Sequence, residues 1–419
     1  MTAGPAGTGL LSLAFLAHTQ EPNVDMIGSL ERVLYYCDAA GDCPENMPAT
    51  SIQPGVAANV FAVVGNTAQA PLVETPSGLP DLAPSPASAA AANLTKRSCS
   101  SFSNPVIAHD FADPSSPILG DDNYLYVFAT NSFGRNIQVA RTLNSDYGKW
   151  ELMDQDALPV LPPWAGRGRV WAPEVAKIDG QYVMYYTARN RQLRLQCTSM
   201  ATSEDIAGPY NDTSSTPILC PSELGGAIDP YQIQDTDGQR YLFYKSDGNA
   251  VGMTPYIWVQ PLTVDGLSFA GPPTRLFGPS ANTWEGSVVE APSVNLCDQE
   301  TSYCLFYSAN NAYGPQYAVG LAVASNITGP YVKSSTNPVL TSNRGNGING
   351  PGGQSFVQAN GEASIAVFHS WDSQVHQNDT YWFRPMCLAV LSTNATADSL
   401  SFPDPEFGVS SEYCSDSTS

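Results

Sequence analysis

YLYVFAT at 124–130 returns as QYVMYYTA at 181–188, RYLFYKS at 240–246, SYCLFYSA at 302–309 and EASIAVFHS at 362–370. These apolar, aromatic strand candidates begin 57, 59, 62 and 60 residues apart. A turn such as GDDN, DG, TDG or DQET precedes each of the first four, and another short strand precedes each turn. A third, alternating strand follows every one: QVART, SMATS, WVQPL, LAVAS and LAVLS. A period near 60 with three or four short strands per unit is the pattern of a β-propeller. The stretch 98–414 holds five such units. The predicted fold is therefore all-β, a five-bladed β-propeller. A β-sandwich or two tandem β domains is the competing reading, and the regularity of five repeats disfavours it.

The composition of the 419 residues agrees. Charged residues make up only 14%, while Gly and Pro number 34 each. Few charges and many turn formers suit short strands better than long helices. The net charge of −21 repels phosphate, so neither nucleic acid nor an anionic membrane surface is an expected partner. No stretch reaches the roughly 20 apolar residues of a membrane span. Neutral polysaccharides remain open as partners.

Residues 1–97 read differently. GLLSLAFLA (9–17) resembles a short signal core with no Lys or Arg before it. Residues 70–92 are rich in Pro, Ala and Ser, and the stretch closes at Lys96-Arg97, a dibasic pair. The segment reads as leader plus pro-segment and linker, with 98–419 as the propeller domain; an ordinary exposed basic pair is the alternative. The nine cysteines and the sequons at Asn93, Asn211, Asn326, Asn378 and Asn394 favour a secreted glycoprotein. Cys297 and Cys304 suit a hairpin disulfide. Cys197–Cys220 and Cys387–Cys414 are neighbours in sequence, which leaves Cys99 odd. Buried thiols are the alternative.

Aligning the blades on their innermost strands brings ADPSSPI (Pro114), WAPEVAKI (Pro173), IDPYQIQ (Pro230), EAPSVNL (Pro292) and GPGGQSF (Gly352) into one register, ringing one mouth of the channel. Three carry an acid at or beside the position before the Pro: Asp113, Asp229 and Glu290. One such acid is a turn former. Three in register, in a chain with few charges, converge on one funnel. Their mutual repulsion raises the pKa of at least one, which is the arrangement that glycoside hydrolysis uses.

With these motifs the sequence resembles glycoside hydrolase family 43, five-bladed propellers acting on arabinose- and xylose-containing polymers. The matching pieces are NPVIAHDFADPSS (104–116), VWAPEV (170–175), AIDPY (227–231), VEAPSV (289–294), GPGGQSF (350–356) and RPMCLAVL (384–391). The resemblance implies Asp113 as general base, Asp229 as the orienting acid that modulates pKa and Glu290 as general acid, with inversion at the anomeric centre. It implies a substrate contact for Arg384, against a structural ion pair. Phe111 is expected to line the subsite beside the base. Trp171 is expected to stack on a sugar or to pack in the core, and Glu174 to contact sugar hydroxyls or to form an ion pair. His369, in VFHSWD, stands where arabinanase relatives place a histidine that helps hold a calcium ion; Gln354 replaces the second histidine of that branch. No cofactor is required, and calcium near His369 is an open expectation.

The expected function is a secreted, monomeric, inverting glycosidase on α-L-arabinofuranosyl or β-D-xylosyl linkages of plant cell-wall polysaccharides. A retaining fructan-active propeller enzyme would need an NDPNG-like motif and a Glu-Cys pair, where this chain has FADPSS and Glu-Ala-Pro. A non-catalytic carbohydrate-binding propeller would be expected to have lost one of the three acids.

Overall fold

The computed structural model describes residues 97–297, 301–343, 347–359, 362–371, 383–391 and 410–416. The leader expected over 1–97 lies outside them, save Arg97. The architecture is that of a five-bladed propeller, every blade an antiparallel sheet. Blade I holds β2 (Ile118–Leu119), β3 (Tyr124–Ala129), β4 (Gln138–Leu143) and β5 (Glu151–Leu152). Blade II holds β6 (Ala165–Ile178), β7 (Gln181–Asn190) and β8 (Gln196–Ser203). Blade III holds β9 (Ala227–Gln234), β10 (Arg240–Ser246), β11 (Tyr256–Leu262) and β12 (Thr274–Phe277). Blade IV holds β13 (Val289–Cys297), β14 (Ser302–Ala309), β15 (Ala318–Ala324) and β16 (Val332–Lys333). Blade V holds β17 (Gly352–Ala359), β18 (Glu362–His369) and β19 (Met386–Val390). The two terminal strands, β1 (Arg97–Ser103) and β20 (Ser410–Asp416), pair with one another.

The side-chain period of two holds the ring together. Along a strand, successive side chains point to opposite faces, so each central strand feeds two different interfaces. In β3, Tyr126 and Phe128 pack toward blade II with Tyr182, Met184 and Tyr186, while Leu125 and Val127 pack toward blade V with Ile365 and Val367. Likewise Val183 and Tyr185 meet Leu242 of blade III, Phe243 meets Leu305 and Tyr307, and Phe306 meets Phe356 and Phe368. Five apolar clusters thus fill the five gaps between blades, which is why the central strands read as unbroken apolar runs.

The ring closes through the chain start. The Asn104 side chain donates to Leu388 O (2.8 Å) and accepts from Leu388 N–H (2.7 Å), and Ile107 bridges Met386 of β19. Disulfides join Cys197 to Cys220 and Cys297 to Cys304. In the β1–β20 ladder Cys414 lies opposite Cys99, in a different sheet from Cys387.

Candidate active site

Every innermost strand breaks its ladder at the same place. In blades II to V two residues oppose one across a β-bulge: Ala172-Pro173, Asp229-Pro230, Ala291-Pro292 and Gly353-Gln354. Asp113-Pro114 repeats this, flanked by Thr130 N–H to Ala112 O and Ser115 N–H to Phe128 O. At each bulge the first residue is left-handed: φ is 52° at Asp113, 42° at Ala172, 55° at Asp229, 49° at Ala291 and 57° at Gly353. Four of the five are not glycine, in a conformation that costs about 1–3 kcal/mol each and collects at functional sites.

A bulge takes its N–H off the ladder, and side chains from the second strands collect these donors. Thr130 Oγ1 accepts Ala172 N–H (3.0 Å), Ser308 Oγ accepts Gly353 N–H (2.9 Å) and His369 Nδ1 accepts Asp113 N–H (3.1 Å). The equivalent residue of blade III is Lys245, paired with Ile228. An ammonium has no lone pair to offer. Asp229 Oδ2 accepts the Ala291 N–H in its place, at 2.8 Å. Lys245 is thereby released toward Glu290, the residue before Ala291: Nζ lies 2.7 Å from Oε2 and 3.4 Å from Asp247 Oδ1. Tyr317 OH meets the other oxygen, Oε1, at 2.8 Å. Its hydroxyl hydrogen rotates, so the contact serves Glu290 either ionised or protonated.

The three sequence-chosen acids therefore share one end of the channel, in contrasting environments. Burial alone would raise the Asp113 carboxyl. The Arg384 charge, with Nη1 at 3.4 Å from Oδ1, and the Thr130 hydroxyl, at 2.6 Å from Oδ2, instead hold it well below the usual range. Asp229 moves the other way, raised by burial and then by the neighbouring Glu290 charge against the opposing pull of Lys245. Lys245 has 1% of its side chain exposed. Burial favours its neutral form, but Glu290 and Asp247 outweigh that and keep it charged.

Asp113, Asp229 and Glu174 line a narrow cavity of about 30 Å³, enough for one or two waters. Glu174 accepts Ser116 N–H at 3.0 Å. Burial pushes its pKa up to about 8, which favours the neutral acid at pH 7, and no cation pairs with it among the described residues. Trp171 is half-buried, one residue before the bulge like Glu290. Arg384 contacts Asp113 and covers Trp371, 5.6 Å from the ring centre. Phe111 corrects the expectation placed on it. It has no exposed surface and packs with Leu125 and Val127, so only its N–H, bonded to Arg384 O, serves the site.

His369 is fully buried, and burial lowers its pKa, which leaves the ring neutral. Nδ1 faces both the Asp113 N–H, at 3.1 Å, and Asp113 Oδ1, at 3.2 Å, and Nε2 has no partner among the described residues. Gln354 is engaged at both ends, by Ser308 and by Ala291 O, and no cluster of three metal-ligating side chains occurs among the described residues. Calcium takes roughly six to eight oxygens. The donor set around His369 does not fit it.

Sequence reasoning missed Lys245, Tyr317 and Thr130. A signal for two of them was present: at or near their ends the apolar second strands carry Thr130, Thr187, Lys245, Ser308 and His369, all polar and in register.

The comparisons agree with this geometry. An extracellular endo-alpha-(1->5)-L-arabinanase of Thermotoga petrophila is 29% identical over 251 residues, 52% of this chain and 50% of that protein. A beta-xylosidase of Bacillus subtilis is 23% identical over 72% of this chain and 56% of its own length. The chain thus spans about half the length of these curated relatives. The crystal structure of a thermostable family-43 glycoside hydrolase superposes with a TM-score of 0.62 at 26% identity, covering 74% of this chain and 97% of that one. The family description Glycosyl hydrolases family 43 matches residues 102–394, and the chain belongs to that family.

Proposed function

We propose that this chain is a secreted, inverting glycosidase cleaving α-L-arabinofuranosyl or β-D-xylosyl linkages of plant cell-wall polysaccharides. The observation that carries this reading is the meeting of carboxyls at one channel mouth in contrasting surroundings: Asp113 against Arg384 and the Thr130 hydroxyl, Asp229 buried beside Glu290 and raised by its charge. Asp113 takes a proton from the attacking water as that oxygen bonds to the anomeric carbon. Glu290, on taking up the proton of the Asp229–Glu290 pair, gives it to the departing glycosidic oxygen, and Asp229 orients that acid. The relatives' names, an arabinanase and a xylosidase, support the pentose class. The two disulfides and the exposed sequon residues Asn211 and Asn326 support secretion.

The test is hydrolysis of nitrophenyl pentosides, arabinan, arabinoxylan and xylan, with the anomer released followed by NMR before mutarotation. Inverted product supports the assignment. Retained product, or cleavage of fructans alone, refutes it.

A further inference from the structure

Among the described strands, β1 and β20 pair only with one another and belong to no blade. Two antiparallel strands alone are marginal in water, so this ribbon needs an anchor. β1 has one at the seam of the ring. Phe102, 3% exposed, joins the apolar cluster that holds Leu125 and Val127 of blade I with Ile365 and Val367 of blade V. Beside it, the Ser101 backbone runs so close to blade I that no side chain fits at Gly148. β20 takes its place from its ladder with β1. That ladder sets Cys99 directly opposite Cys414, between the pairs Ser98–Ser415 and Ser100–Tyr413. Opposed residues of an antiparallel pair share a face, with Cα atoms about 4.5 or 5.5 Å apart. A disulfide spans about 4.4–6.8 Å between Cα atoms, so both kinds of opposed position suit one. Cys387, the partner that nearness in sequence suggests for Cys414, lies instead in β19, opposite Phe368 and buried between blades IV and V.

We propose that Cys99 and Cys414 are joined in a further disulfide that closes the propeller covalently. The bond ties the chain entering blade I to the chain leaving blade V, across the seam that Asn104 and Leu388 hold by hydrogen bonds. It forms by exchange with a disulfide-bearing oxidant. The two thiols pass two electrons to the oxidant and release two protons; one S–S bond forms, and the oxidant's S–S bond breaks to give two thiols. An environment that oxidises Cys197–Cys220 and Cys297–Cys304 supplies that oxidant. The loop closed by the bond runs from residue 99 to residue 414, nearly the whole propeller. It therefore removes more freedom from the unfolded chain than either of those short-range disulfides.

The bond is tested on the full chain, alkylated without reduction, digested and mapped by mass spectrometry. The expected product is a linked pair of peptides holding Cys99 and Cys414, two hydrogens lighter than the separate peptides and split by reductant. Alkylated Cys99 or Cys414, or either one linked to Cys37, Cys43 or Cys387, overturns the proposal. The Cys99→Ser/Cys414→Ser double variant, which keeps the other disulfides, tests the clasp. It melts at least about 5 °C below the oxidised parent. Equal melting of the two proteins overturns the clasp.

Discussion

Lys245 and Glu290 form a nearly dry ion pair, 2.7 Å from Nζ to Oε2, with 1% and 14% of their side chains exposed. Removing one partner of such a pair leaves an uncompensated buried charge, at a cost of about 3–5 kcal/mol. Lys245→Met therefore lowers stability in denaturant melts by that order. The lost cation also favours the protonated form of the Asp229–Glu290 pair. The alkaline limb of the pH–rate profile moves up in the surviving enzyme; a limb that stays put removes Lys245 from the acid's control.

Asp229 has two separable duties. Its carbonyl-like oxygen holds the Ala291 N–H, and its proton serves the neighbouring acid. Asparagine keeps the first and loses the second. Asp229→Asn should melt within about 0.5 kcal/mol of the parent yet lose on the order of 10²-fold in kcat. Asp229→Ala should in addition lose about 1–3 kcal/mol, since a buried N–H is orphaned. Equal stability of the two variants would remove the bulge-capping role.

Thr130 donates to Asp113 Oδ2 at 2.6 Å and so favours the ionised base. Thr130→Val removes that bond. The acidic limb of kcat/KM should rise by about one pH unit, since a bond to a charged group contributes about 1.5–3 kcal/mol and one unit is about 1.4 kcal/mol. The measurement is kcat/KM followed downward from about pH 4, the ordinary Asp value, because the parent's base titrates below it. No movement of the limb would exclude the hydroxyl as a determinant of the base.

Glu174 makes stability depend on pH with a definite sign. Its folded pKa, about 8, stands above its unfolded value, so the folded protein holds the proton more tightly. Stability falls as pH rises from about 4.5 to 8, by up to a few kcal/mol. Glu174→Gln removes that share of the slope and is the more stable protein at pH 8. Melting temperatures from pH 5 to 8 decide it: parallel curves for parent and variant would mean that Glu174 is ionised throughout.

The blades and the three acids were legible because both repeat in sequence. A strand such as QYVMYYTA declares itself by composition, and the register of Asp113, Asp229 and Glu290 follows from counting. Partners were harder. Lys245 reaches Glu290 across 45 positions and Tyr317 reaches it across 27. Nothing local announces that a lysine ending an apolar strand will face a carboxylate. Phe111 stands two residues before Asp113, yet its side chain is buried with Leu125 and Val127, a contact between blades that its local sequence does not show. Glu174 was ambiguous because a missing cation leaves no mark on a sequence.

The seam of the circle and the catalytic base coincide. Asn104 grips Leu388 across 284 residues, and Arg384 meets Asp113 across 271. Loop closure over such a span is a late and entropically costly event. Until blade V docks on blade I, Asp113 lacks both its Arg384 and its His369 contacts. During refolding from denaturant, return of turnover marks the instant the last blade takes hold of the first. An assay on sugar becomes a clock for topology.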